Sequence, residues 1–210
     1  RFNSYIALAL AFAVSGAVGV QLISVPLAFM IITINLFCVS VLARHGETPE
    51  GAKPPSLWKA LATNPLILAC AAGLLANPSQ ISWPGPVETA LGWFGTAAIA
   101  LGLFAVGAGL TPISGKGSVF AIAASSVVKL VAIPMVFLLG AWALGLPENL
   151  TVLGLIATIV PTATSAYILA RQLGGNAPLM AQIVTAGTLI SAPTVTMWFL
   201  AWPFIAARLF

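Results

Sequence analysis

A proline and three hydroxyl side chains interrupt the apolar stretch "IATIVPTATSAYILARQLGGN": Pro161, Thr162, Thr164 and Ser165. Proline removes a backbone donor and clashes with the preceding turn. In lipid the freed carbonyls need partners, which Ser/Thr hydroxyls or a neighbouring helix can supply. Two arrangements meet that need. One is a kinked but continuous helix. The other is a discontinuous helix whose open backbone lines a substrate site. Lys129, in "SSVVKLVAIP", lies too deep in its apolar stretch to reach either surface comfortably. A cation at mid-bilayer costs at least about 2.5–3.5 kcal/mol, so such lysines usually face a cavity or a partner. The bland alternative is a lysine that packs its stem and snorkels to a headgroup. Glu88 and Glu148 stand at helix ends, so neither pairs with Lys129 at membrane depth. An unpaired cation beside a cavity suits an anionic substrate.

The elements that must position these residues are membrane helices. Hydrophobic residues make up 60% of the 210-residue chain and charged residues 6%. Mean hydropathy is +1.08. A soluble domain carries about 25% charged residues, so this composition cannot cover a surface in water. Seven apolar runs follow one another, at 3–19, 20–43, 57–76, 87–111, 118–144, 149–173 and 177–205. A span needs about 20 mostly apolar residues. Helices are expected, because an open strand leaves its backbone unsatisfied in lipid and the alternation of a barrel strand is absent. The polar linker is "RHGETPEGAKPPS", residues 44–56. The chain opens on Arg1 directly before an apolar run, without the pattern of a signal peptide, which suggests a missing N-terminal part. Cys38 and Cys70 lack metal or redox spacing and read as packing residues.

Basic residues favour the cytoplasmic side. Arg44, Lys53 and Lys59 put the linker inside; parity then places Arg1, Lys116 and Arg171 inside and leaves only Arg208 outside. The net charge of +4 is therefore topological and gives no reason to expect nucleic acid as a partner. In "GTAAIALGLFAVGAGL", Gly95 and Gly102 suit close helix packing, whereas Gly107 and Gly109 could line a pathway. A weak ordered match pairs Tyr5 with Tyr167, Gln21 with Gln182 and Ser24 with Thr185. It makes runs one and two a repeat of runs six and seven, in opposite orientation, as in many secondary transporters.

The stretches "RFNSYIALALA", "LATNPLILACAAGLL", "LGLFAVGAGL", "VVKLVAIPMVF" and "PTATSAYILARQLGGNAPLMAQIVTAGTLISAPT" together resemble the auxin efflux carrier family, in particular its malate/malonate permease-like bacterial branch. The resemblance implies an all-α integral membrane protein of a bacterial inner membrane. Its seven transmembrane helices would correspond to helices 4–10 of a ten-helix inverted-repeat transporter with crossed discontinuous helices. Residues 1–43 would end the first repeat, 44–56 would be a cytoplasmic linker, and 57–210 would form the second repeat. The substrate would be a small organic anion such as malate or malonate, carried by alternating access. Carried over, Pro161, Thr162, Thr164 and Ser165 would form the ninth-helix break, and Asn3 and Tyr5 would belong to the fourth helix. Lys129 would add attraction for the anion. The fourth helix departs from the family pattern in having no proline, so its break falls to another feature, such as Ser15–Gly16. Runs two, three and seven would form a smaller moving or dimerising block, with a homodimer as a further expectation. No cofactor is implied; the coupling ion would be H+ or Na+.

Two other classes compete. Seven spans with one buried lysine also suit a retinal-type photoreceptor or pump using Lys129, although the lysine is in the fifth run and has no acidic counterion. An intramembrane enzyme would need a buried acid or Ser–His pair, and neither is present in the runs.

Overall fold

The computed structural model describes residues 1–46, 62–76, 83–112 and 119–210. Among these residues every regular element is helical. The first, α1 (Ser4–His45), holds 42 residues. At 1.5 Å per residue that is about twice the bilayer core of about 30 Å. It is not one rod. Ser15 and Gly16 leave the helical region, and Gly16 takes a φ of 60° that only glycine adopts freely. Just beyond, Gly19 lies so close to the Ala11 carbonyl that a side chain would not fit. The chain reverses there. Phe2, Ala7 and Ala11 of the short arm pack on Ile23 and Leu27 of the long arm. Run one is therefore a half-span, and its boundary is the glycine tip at 15–16 rather than 19–20. Hydropathy does not change at that point, so only backbone conformation marks it.

Next come α2 (Pro65–Ala76) and α3 (Gly85–Ala108). The fifth run is a single span, Val119–Ala143. It comprises α4 (Val119–Val127), a π-helical turn (Val128–Ala132) and α5 (Ile133–Ala143). The turn precedes Pro134. The Leu130 carbonyl, whose α-helical donor would be the N–H that proline lacks, instead accepts from Trp198 Nε1 at 2.9 Å.

The sixth run divides into α6 (Glu148–Ile159) and α7 (Ser165–Gln172), with residues 160–164 outside the helix. Val160 is extended, φ −73° and ψ 149°. A residue preceding proline is pushed out of the α region, which ends the helix here. After α7 the chain turns at Gly174, φ 71°, and enters α8 (Ala177–Leu209). Asn176 caps α8 by accepting the Leu179 N–H at 3.0 Å.

Two helical hairpins thus recur, each a half-span followed by a long helix. Their tips lie at opposite ends of α1's long arm. The first tip is where that arm starts; the second meets its end, where Gly46 abuts the Leu173 carbonyl and Gly175 abuts Leu42. α6 fits between α1 and α5, its Leu153, Ile156 and Ala157, with Val160 just beyond it, facing α1 and its Leu155 and Ile159 facing Leu138. α8 packs mainly on α4, α6 and α7, whereas α2 packs on α1. Run seven therefore sits with runs five and six, not in a block with runs two and three as expected. The hairpin forces this: α8 follows α7 after only four residues. Phe104 and Phe120 are 78% and 85% exposed, as side chains facing lipid should be. Beyond Gly46 the linker expected over 44–56 lies outside the described residues, as do Lys53, Lys59 and Lys116.

Candidate functional site

The start of α1 meets the break between α6 and α7. The Asn3 N–H donates to the Pro161 carbonyl at 2.9 Å. This bond ties the start of α1 to the non-helical stretch between α6 and α7. Asn3 also caps α1: its Oδ1 accepts from Ile6 N at 3.2 Å, and its carbonyl accepts from Ala7 N at 3.1 Å. The first N–H groups of a helix have no intrahelical partner, and a helix N-terminus carries partial positive charge. Two such ends, at Ser4 and at Ser165, approach one another here.

A cavity of about 100 Å³ lies between them. Asn3, Ser4, Tyr5, Ala163, Thr164 and Ser165 line it from the two half-helices, and Ile31, Ile34 and Asn35 from α1's long arm. Arg1 also borders it, its Nη1 donating to the Ser165 carbonyl at 2.8 Å. Thr164 separates this space from a larger one of about 680 Å³, lined in part by Gly109, Thr111, Tyr167 and Gln182. Gly109 stands close to that wall: a Cβ there would meet Thr164 Cγ2 at 3.1 Å, a tight contact. Above it, the Thr111 N–H donates to Thr185 Oγ1 at 2.9 Å, which fixes the end of α3 against α8.

Of the residues expected in the site, Asn3, Tyr5, Thr164 and Ser165 come together on one cavity. Pro161 is buried beneath them. Thr162 faces a neighbouring cavity with Cys38 and Leu42. Gly109 reaches Thr164, whereas Gly107 does not line the same space. Tyr5 lays its ring on Gly102, where no side chain could be added.

Lys129 is elsewhere. Its Nζ donates to the Thr158 carbonyl at 2.8 Å, in the last turn of α6. That carbonyl would take the Thr162 N–H if the helix continued, and the break leaves it open. The lysine thus places a positive charge on the negative end of α6, the favourable sense for a helix C-terminus. The expectation of an unpaired lysine gives way to one bonded to backbone, and Lys129 is not among the residues that line the cavity.

Asn35 was not among the expected site residues. It stands in "IITINLF", and the signal was a lone amide in an otherwise apolar stretch. Among the described residues, Asn35 Oδ1 and Asn3 Nδ2 are both buried without a hydrogen-bond partner. Each such orphan costs about 1–3 kcal/mol, so a site that keeps two of them expects something to complete them.

Residues 52–199 match the family model described as Membrane transport protein. The chain is 25% identical over 160 residues to the "Probable auxin efflux carrier component 5b" of Oryza sativa subsp. japonica, covering 71% of this chain and 42% of that protein. It is 25% identical over 158 residues to the "Auxin efflux carrier component 5" of Arabidopsis thaliana, covering 71% and 44% respectively. The chain therefore spans less than half the length of these curated relatives. No solved structure matches it.

Proposed function

We propose a mechanism from one premise: this chain belongs to the membrane transport protein family, the family of the auxin efflux carriers. It is a multi-pass membrane transport protein rather than an enzyme, and the retinal reading of Lys129 is set aside. We read its substrate as a small organic anion such as malate or malonate, bound at the crossing of α1 with the α6–α7 break. The observation that carries this reading is the convergence of two half-helix N-termini on one cavity, joined by the Asn3-to-Pro161 bond. Free N–H groups and aligned dipoles attract a carboxylate. The hydroxyls of Ser4, Thr164 and Ser165 add donors. Discontinuous helices of this kind build the binding sites of inverted-repeat carriers.

In this reading residues 1–43 end one repeat, 57–210 form the other, and 44–56 join them on the cytoplasmic side. The two half-helix hairpins expose the cavity alternately to the two membrane faces. The space behind Thr164 is the approach from one of them. Lys129 contributes by holding the α6 end of the break, and a coupling ion, H+ or Na+, travels with the substrate.

Uptake of labelled malate and malonate by the full chain in proteoliposomes tests the reading. Pro161→Ala restores a donor and permits a continuous helix, so uptake should fall at least about tenfold, a loss of about 1.4 kcal/mol in transition-state terms. Unchanged uptake of either anion by the variant would remove the crossing from the mechanism.

A further inference from the structure

We propose that the crossing cavity selects a carboxyl group in its protonated form, so that a short dicarboxylate binds as its monoanion and carries one proton with it. This rests on the organic-anion reading above and deepens it. Two buried amides, Asn3 and Asn35, both line the cavity, at 1% and 3% exposure. Each is oriented by a backbone partner. The Asn3 Oδ1 accepts from the Ile6 N–H, so the other end of that amide is the donor, and it has no partner among the described residues. Asn35 is held the opposite way. Its Nδ2 donates to the Ile31 carbonyl at 2.7 Å, which leaves Oδ1 as a spare acceptor.

The two residues that keep a spare donor and a spare acceptor thus border one cavity; both atoms are covered in the free protein, and a ligand must part that cover to reach them. A carboxylate has acceptors only. It would satisfy Asn3 and be repelled by Asn35 Oδ1. A carboxylic acid offers its C=O to Asn3 Nδ2 and its O–H to Asn35 Oδ1, and completes both. The cavity of about 100 Å³ has room for roughly three waters at about 30 Å³ each, so it takes only a small ligand. The substrate's other carboxylate remains ionised against the N–H groups that open α1 and α7. Among the described residues the titratable groups around the cavity are Arg1 and Tyr5 on its wall, Cys38 in the adjoining cavity, and Lys129 at the end of α6. None is a carboxylate or an imidazole. The proton therefore rides on the substrate, gained in solution on one side and released on the other.

Competition against labelled malonate uptake by the full chain in proteoliposomes tests this with two analogues of one shape. Malonamate keeps the ionised carboxylate and replaces the protonated carboxyl with an amide, which donates N–H at every pH. Acetoacetate carries a methyl group of similar size in that place, keeps the carbonyl acceptor and has no donor. Malonamate should inhibit at least about tenfold more strongly than acetoacetate, because a site built to bond a donor rejects the analogue lacking it. Its inhibition constant should stay level from about pH 5.5 to about pH 7.5, while the apparent KM for total malonate rises with pH as the carboxyl ionises. Asn35→Leu should narrow the gap between the analogues to less than about threefold, since the acceptor that distinguishes them is gone. Equal inhibition by the two analogues, or a gap that survives Asn35→Leu, overturns the proton-carrying proposal while leaving organic-anion transport in place. An absence of any malate or malonate uptake overturns the parent reading, and this one with it.

Discussion

Lys129 carries two separable roles, and its partner decides between them. Bonded to the Thr158 carbonyl at 2.8 Å, it is a positioning residue for the α6 end of the break. Lys129→Met should therefore lower thermal stability by about 2 kcal/mol, as expected for a buried cation lost from a helix C-terminus, and reduce maximal uptake. Lys129→Arg should recover part of both. A lysine that bound the anion directly would instead raise KM and leave the melting temperature where it was, and that pattern would refute the capping role. Gly102 gives a second residue-level expectation. A side chain there has no room beside the Tyr5 ring. Gly102→Val should displace Tyr5 from the cavity wall and cut uptake about tenfold, equivalent to about 1.4 kcal/mol, whereas Gly95→Val, with open space around it, should not. The interrupted stretch around Pro161 was plain in the sequence. Asn35 was not, because one amide in an apolar run looks the same whether it is capped or left with a spare oxygen. Only its neighbours distinguish the cases.

At the scale of an element, Pro161 ends a helix, Pro26, Pro193 and Pro203 stand inside continuous ones, and at Pro134 a distant side chain takes up the backbone group that proline releases. Pro134 follows the π-helical turn, and Trp198 of α8 supplies a donor to Leu130. Trp198→Phe should lower stability by about 1–3 kcal/mol by leaving a buried carbonyl short of a donor. Adding Pro134→Ala should return part of that loss, because alanine provides the missing N–H within the helix. A fully additive double variant would show that the two are not coupled. Apolar periodicity located the fifth and seventh runs well, since both are continuous spans. It placed the end of the first run about four residues late. A reversal set by Gly16 at positive φ has no hydropathy signature, and Ser15–Gly16 pointed to it only as two weak helix formers.

For the molecule as a whole, the two hairpins point opposite ways, with tips at 15–16 and 173–176. Ser15 and Gln172 are both exposed at or beside them. In a background lacking Cys38 and Cys70, Ser15→Cys and Gln172→Cys should react with a membrane-impermeant maleimide from opposite sides. The basic residues place Gln172, next to Arg171, on the cytoplasmic face. Labelling of both from one side would break the inverted arrangement and with it alternating access around the crossing. The packing of α8 on α4, α6 and α7 makes the second hairpin part of one body with the fifth run. Order along the chain did not reveal that, because each run is apolar on all sides and carries no mark of its neighbour.

Composition alone determined that this chain lives in a bilayer, since so few charges cannot clothe a soluble surface. Proline and hydroxyl placement marked the sixth run as kinked or interrupted, because the residue before proline is disfavoured in a helix, and left the choice between the two open. Only the tertiary structure decided what the interruption touches. Asn3 and Pro161 are bonded although they stand far apart in the chain, and Lys129 is bonded to the Thr158 carbonyl. Such pairings depend on where the hairpins reverse and which helix faces them. In lipid that choice is made by backbone groups seeking partners, and hydropathy does not record it.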